Sequence, residues 1–256
     1  MTPTVASTSR RTGSAHDSAD PKPIPTLVGS FGIPVMRSTA SLVVKYALDA
    51  VLATLFVILC APLFLIIAVA IKSNSPGPVL FVQKRVGKNG KLFDFYKFRT
   101  MRHNADDSVH REFSREFIRG TPKGANGGHG NGANGNGSKV YKITRDPRVT
   151  AVGAFLRRTS LDELPQLFNV LRGHMSLVGP RPPVVYELEH YQDWHKRRLA
   201  IRPGLTGLWQ VSGRSSVPFD EMVLLDLYYI EHRSAWMDFR IMAKTLPVML
   251  FGSGGY

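Results

Sequence analysis

The hydrophobic pattern separates one long apolar run from a tract of shorter, periodic segments. Between Val51 and Ile71 no charge interrupts the sequence VLATLFVILCAPLFLIIAVAI. As a helix this run is about 30 Å long, the thickness of a bilayer's hydrocarbon core. A core helix of a soluble domain, uniformly apolar over this length, is the weaker reading. Pro62 stands in the middle, where a missing backbone donor and a ring clash kink or break a helix. Basic residues flank both ends: Arg37 and Lys45 before the run, Lys72, Lys84, Arg85, Lys88 and Lys91 after it. The excess after the run puts that side in the cytoplasm. A basic N-terminal flank suits a full span poorly. Residues 41–73 therefore form either an ordinary span or a re-entrant helix-break-helix that turns at Pro62 and returns to the same face.

After the turn cluster Ser75-Pro76-Gly77-Pro78 the pattern changes to short strands. Val79 to Arg85 and Leu92 to Phe98 predict a hairpin closed across Lys88-Asn89-Gly90, because Asn-Gly is a strong hairpin signal. From Tyr141 onward the spacing is mostly helical. Asp146-Pro147 predicts a cap with a first-turn proline, followed by a face of Val149, Val152 and Leu156 with Phe155 alongside. A second helix is predicted from near Ser160 with Leu164, Leu167, Phe168 and Leu171 at helical spacing, and a third from about Phe219 to Glu231. The last, Met237 to Phe251, is amphipathic and suits the domain surface or the membrane surface.

Two tracts lack any such pattern. Residues 1–40 are dominated by Ser, Thr, Pro and Gly and predict a disordered tail, without the cleavage site of a secretory signal. Residues 120–138 predict a flexible Gly/Asn-rich insert. Gly130, Gly132 and Gly135 match a dinucleotide fingerprint by spacing alone, with no strand before them and no helix after them. The fold class is α+β and mostly helical: a membrane segment, a small basic β-hairpin, and a helical cytoplasmic domain within residues 74–256.

Charge narrows the partners. The formal net charge is +14, which suits anionic lipid headgroups, phosphorylated substrates or nucleic acid. No helix-turn-helix signature and no basic–aromatic interleave for single strands is present, so nucleic acid is not expected. The single cysteine, Cys60, excludes an internal disulfide.

The densest chemical signal is Arg157-Arg158-Thr159-Ser160-Leu161-Asp162-Glu163. Ser160 to Glu163 fits a capping box, and carboxylates are favoured in a first helical turn, so a purely structural reading exists. Against it, neighbouring carboxylates beside two arginines can hold both Mg²⁺ and phosphate. A helix N-terminus also favours an anion. Arg181, between Pro180 and Pro182, is a candidate rigid phosphate clamp. Arg202 to Arg214, with Gln210, offers glycines, hydroxyls, an amide and two arginines for a phosphate-bearing ligand. The basic hairpin adds Lys84, Arg85, Lys97 and Arg99.

These residues fall in KRVGKNGKLFDFYKFRTM, ITRDPRVTAVGAFLRRTSLDELPQLFNVLRGHMSLVGPRP, RPGLTGLWQVSGR and DLYYIEHRSAWMDFRIMAKT. In that order the four stretches resemble the bacterial monotopic phosphoglycosyl transferases, from about residue 41 to the C-terminus. The resemblance implies transfer of a sugar 1-phosphate from a UDP-sugar to polyprenyl (undecaprenyl) phosphate, with release of UMP. It implies Asp162 as nucleophile and Glu163 as its Mg²⁺ partner, with Arg157 and Arg181 near the phosphates. Asp226 and Asp238 match carboxylates of the C-terminal stretch, and Pro62 falls where the family's re-entrant helix breaks. Ala61 stands where the family often has serine, which removes a hydroxyl for the freed backbone groups. Glucose or galactose is the favoured sugar by the same resemblance, at the bacterial inner membrane, in exopolysaccharide assembly. A homo-oligomer is left open. The rival reading is a membrane-tethered protein that binds anionic lipid or nucleic acid without catalysis, resting on charge alone.

Overall fold

A computed structural model describes residues 38–102, 108–120, 146–212 and 217–251. The tail to residue 37, the Gly/Asn-rich insert from residue 121 and Arg214 lie outside the described residues.

The apolar run lies within α1, Thr39–Asn74, a helix of 36 residues. Ser38 caps its start, its hydroxyl accepting from the Ser41 N–H at 3.2 Å, and Ser75 ends it by donating its N–H to Ile71 O at 3.2 Å. Among the described residues it is the one helix long and apolar enough to cross a membrane, by length and composition. Most of its apolar face meets no protein: only 11% of its most hydropathic window is buried. The predicted division at Pro62 is not drawn as a break, because α1 runs continuously through that residue. Proline removes one rung of the ladder, while Ala53 before it and Leu63 and Phe64 after it pack on the same body.

Both ends of α1 are tied to that body. Near the start, Lys45 Nζ lies 2.7 Å from Asp238 Oδ2, and the Ser176 hydroxyl donates to Asp49 Oδ2 at 2.5 Å. Near the end, Ile67 and Ile71 pack with Phe98 and Leu156. Phe64 meets Phe98 and Phe168 with ring centroids 5.4 and 5.7 Å away.

The hairpin forms as predicted. β1 (Leu80–Val86) and β2 (Leu92–Phe98) are antiparallel, Leu80 opposite Phe98 and Val86 opposite Leu92. Asn89 and Gly90 both take positive φ, 55° and 78°, which is the conformation an Asn-Gly turn supplies at low cost. α2 (Ser108–Ile118) follows, a helix the sequence reading did not include.

α3 (Ala151–Arg158) is capped by Thr150, whose hydroxyl accepts from the Gly153 N–H at 3.0 Å. Asp146 was the expected cap, but its carboxylate binds the Arg148 side chain instead. A 3-10 turn, Leu161–Glu163, and the short α4, Gln166–Leu171, replace the single longer helix expected from Ser160. Pro165 lacks an N–H and begins α4 afresh. β3 (Ser176–Val178) and β4 (Gly204–Thr206) form a parallel pair of three residues each. Between them lie a 3-10 turn at Val185–His190 and α5, Asp193–Lys196. α6 (Leu208–Ser212), α7 (Phe219–His232) and α8 (Ala235–Phe251) complete the body. The core joins Phe93 and Phe95 of β2, Leu167 and Val170 of α4, Trp209, Tyr229 and Ile241.

α3 meets the end of β2 very closely at Gly153, where a Cβ would lie 1.9 Å from Thr100 O. That oxygen accepts the Thr150 N–H at 3.0 Å. Gly153→Ala is expected to destabilise the fold by about 1–3 kcal/mol or more, as an overpacked core site does. Thermal unfolding of the protein in lipid nanodiscs checks this, and an unchanged midpoint would mean that α3 and β2 are not in contact there.

Candidate active site

The acid pair is presented by an unusual turn. Ser160 follows α3 with φ 55° and ψ 16°, the left-handed region, at a cost of about 1–2 kcal/mol for a residue with a Cβ. In this conformation its hydroxyl caps nothing, and only its carbonyl accepts the Glu163 N–H at 3.2 Å. The expected capping box is therefore absent. The helix N-terminus also fails to frame the pair, since Asp162 and Glu163 sit in the 3-10 turn ahead of α4. What surrounds them is positive charge.

Lys97 of β2 reaches both carboxylates, with Nζ 2.7 Å from Glu163 Oε1 and 3.5 Å from Asp162 Oδ2. Arg181 adds a second cation, Nη1 at 3.3 Å from the same Glu163 oxygen. Arg157 donates from Nε to Thr100 Oγ1 at 2.9 Å, and its charge acts on Asp162. The loop carrying Arg181 is held from two sides. Gly179 N donates to Thr206 O at 2.9 Å and Gly204 N to Pro180 O at 2.8 Å. Val86 N donates to Pro183 O at 3.0 Å, and Arg85 Nη1 to Pro182 O at 2.9 Å.

The two carboxylates divide their roles by environment. Asp162 is only 7% exposed, and burial pushes its carboxyl above the usual aspartate range despite the pull of Lys97, with the Glu163 charge adding to the rise. Burial acts on Glu163 in the same direction, but Lys97 and Arg181 outweigh it and hold that carboxyl low. Of the two, Glu163 is the more acidic partner and Asp162 the more basic.

Most of the other described candidates have other partners. Arg85 is buried over the Phe95 ring, and burial with the neighbouring Arg181 charge lowers it to about 10. Its guanidinium holds the Arg181 loop. Arg99 donates to the carbonyls of Ser75, at 2.8 Å, and Pro76, joining the hairpin to the end of α1. Lys84 pairs at the surface with Asp94 opposite it, at 2.7 Å. Arg158 lies over the exposed Phe155 ring at 5.8 Å, and Arg202 lies 3.9 Å over Tyr46 of α1. Gln210 buries its side-chain oxygen without a partner, close to Gly207. Asp226 is buried against Arg198, and Asp238 binds Lys45 and the Tyr229 hydroxyl, the latter at 2.6 Å. The structure therefore gathers Asp162, Glu163, Lys97, Arg157 and Arg181, and engages Lys84, Arg85, Arg99, Arg158, Arg202, Asp226 and Asp238 elsewhere.

Three residues outside the sequence candidates border this cluster. His110 of α2 bonds the Tyr186 hydroxyl at 2.5 Å. Burial and then the charges of Arg85, Arg181, Arg148 and Arg157 lower the imidazole to about 4, so it is neutral near pH 7. The helical spacing of Phe113 and Phe117, which stack at 6.1 Å, was the one local signal for α2. No local signal ties His110 to Tyr186 or Arg148.

Two adjacent carboxylates suit Mg²⁺, which takes one or two protein carboxylates and completes its shell with phosphate oxygens and water. Among the described residues no cluster of three or more His, Cys, Asp or Glu side chains exists. Glu163 turns Oε1 to Lys97 and Arg181, and the donor set that remains fits an ion shared with a phosphate ligand.

Residues 40–252 match the bacterial sugar transferase family. The undecaprenyl-phosphate galactose phosphotransferase of Salmonella typhimurium is 42% identical over 221 residues, 86% of this chain and 43% of that protein. The exopolysaccharide production protein ExoY of Rhizobium meliloti is 41% identical over 212 residues, 83% of this chain and 88% of that protein. The UDP-glucose:undecaprenyl-phosphate glucose-1-phosphate transferase of Escherichia coli is 38% identical over 230 residues, 84% of this chain and 43% of that protein. The chain thus spans less than half the length of several curated relatives it matches.

The titration of the pair has opposite consequences for stability. A carboxyl raised on folding destabilises the fold while ionised, and the penalty fades as pH falls through the folded value. Asp162→Asn is therefore expected to raise the unfolding midpoint at pH 7, with a gain that shrinks in acid. Glu163, held low, contributes stability above its unfolded value that is lost as pH falls through the folded one. Glu163→Gln is expected to cost about 1.5–3 kcal/mol at pH 7, the range for hydrogen bonds to charged groups. Thermal melts of both variants between neutral and acid pH check the opposite signs.

Proposed function

Because the chain belongs to the bacterial sugar transferase family, we propose that it transfers a sugar 1-phosphate from a UDP-sugar to polyprenyl (undecaprenyl) phosphate. The observation that carries this reading is a buried carboxylate pair faced by Lys97, Arg181 and Arg157, on a body tied to both ends of a lipid-compatible helix.

Asp162 is the nucleophile. Its elevated proton affinity makes the ionised carboxylate a better attacking group. A carboxylate oxygen forms a bond to the sugar-linked phosphorus, and the bond from that phosphorus to the UMP oxygen breaks, UMP leaving with the electron pair. The aspartyl phosphosugar is then attacked at phosphorus by a phosphate oxygen of the polyprenyl acceptor. The acyl-phosphate bond breaks, Asp162 is restored, and polyprenyl diphosphate sugar is the product. Lys97 and Arg181 hold negative phosphate oxygens in place, and Arg157 keeps positive charge beside Asp162. Asp162 and Glu163 are the residues that would hold Mg²⁺, which would supply further charge neutralisation at the phosphates. The relatives named for galactose and glucose transfer support a hexose as the sugar, and ExoY's name supports exopolysaccharide assembly as the setting.

The same reading takes the protein as monotopic, with α1 dipping into the bilayer and both its ends on the cytoplasmic face. The contacts of Lys45 and Ile71, near its two ends, with the catalytic body support this reading. α1 is continuous through Pro62, and the backbone donor missing there marks where a bend in the membrane would cost least. In a Cys60→Ser background, a cysteine placed at Ser41 is expected to react with an impermeant maleimide only in inverted vesicles. Reaction only from the periplasmic side sinks the monotopic assignment.

The activity is tested with purified full-length protein, polyprenyl phosphate, Mg²⁺ and UDP-glucose or UDP-galactose, following UMP. Asp162→Asn is expected to lower turnover by about a thousandfold or more, the scale seen when a nucleophile is removed. Without acceptor, the wild type is expected to gain the mass of one hexose phosphate. Full turnover by Asp162→Asn rules out this residue as nucleophile. In the wild type the acid limb of kcat/KM is expected above pH 3.8, the ordinary aspartate value, rising as pH rises.

A further inference from the structure

The hairpin that carries Lys97 is a sheet of only two strands, so each outer edge presents N–H and C=O groups that need partners. The β1 edge is bridged at Arg85 to Val184, just after the Arg181 loop. The β2 edge meets a side chain. Asn169 of α4 is fully buried; its Nδ2 donates to Asp94 O at 2.6 Å, and its Oδ1 accepts the Tyr96 N–H at 3.1 Å. These two backbone groups flank Phe95. One residue of a parallel neighbouring strand would bond the same two groups. The Asn169 amide therefore acts as a single rung of a third strand.

That rung lies between the two halves of the site. Lys97 is the residue after Tyr96, and Asn169 is in the helix that follows the turn bearing Asp162 and Glu163. The carbonyl of Asn169 in turn accepts the N–H groups of His174 and Met175, at 3.0 and 3.2 Å, which holds the end of α4. Pairing with β1 fixes β2 within the hairpin but not the hairpin against α4. A slip of two residues, the smallest that brings equivalent backbone groups to this edge, would carry Lys97 about 7 Å along the strand and away from the pair. Among side chains of this length, asparagine alone offers one donor and one acceptor on the same planar amide; aspartate lacks the donor.

We propose that Asn169 is a positioning residue that sets the register of β2 against α4, so that Lys97 meets the Asp162–Glu163 pair. This rests on the catalytic reading above, and it adds a determinant that touches neither substrate nor carboxylate.

A double-mutant cycle separates positioning from general stability. UMP release from UDP-glucose and UDP-galactose is measured for the wild-type protein, Lys97→Ala, Asn169→Ala and the double variant, each with its unfolding midpoint. Asn169→Ser serves if the alanine variant does not fold. Lys97→Ala and the Asn169 variant are each expected to lower kcat/KM by about tenfold or more, and the double variant to be no worse than Lys97→Ala within about threefold. Independent losses that multiply in the double variant overturn the positioning role while leaving the catalytic reading of Lys97 standing. Full activity in Lys97→Ala overturns the inference together with that reading of Lys97. Full activity in the Asn169 variant overturns the inference alone.

Discussion

Holding two adjacent carboxylates out of water is the constraint on which the rest of the structure depends. Burial alone would protonate or expel them. They are kept by cations delivered from separate parts of the chain: Lys97 from the hairpin, Arg181 from the loop after β3, Arg157 from the end of α3. Each delivery needs its own fastening. β2 is held to α4 at Asn169, the Arg181 loop is pinned by β4 and by Arg85, and α3 is pressed against Thr100 at Gly153. The strained Ser160 belongs to the same arrangement, since it joins the end of α3 to the turn that bears both acids.

Arginine has two distinct uses in this protein. Arg85 and Arg99 spend their donors on backbone carbonyls, at the Arg181 loop and at the end of α1. Arg198 is buried with Asp226 and the Tyr191 hydroxyl at 3.0 Å, and Arg202 stacks on Tyr46. A planar guanidinium with a fork of donors suits such joints better than lysine does. The net charge of +14 therefore overstates how much positive surface is offered to a ligand.

The apolar helix is joined to the body by chemistry of two kinds. Its later half uses Phe64, Ile67 and Ile71 against Phe98 and Leu156. Its start uses a buried polar network, in which Lys45 bridges Asp49 and Asp238 while the Tyr229 hydroxyl donates to Asp238. Such a network is directional, and removing one member leaves a buried charge unpaired. It specifies which stretch of an otherwise slippery apolar helix meets the body.

The sequence by itself determined the elements whose cause is local. An unbroken apolar run, an Asn-Gly turn between alternating strands, and neighbouring carboxylates flanked by arginine are all visible at short range. The long helix and the hairpin follow that reading. Its misses have one physical origin. α2, β3 and β4 are short and owe their existence to packing. Ser160 fits a capping box by pattern, yet takes a left-handed conformation in which its hydroxyl caps nothing. A basic side chain looks the same in sequence whether its donors face a phosphate, a carbonyl or a ring. Only the tertiary structure decided that Lys97 faces the carboxylates while Arg85, Arg99 and Arg202 hold the scaffold, because that choice is made by contacts between residues far apart in the chain.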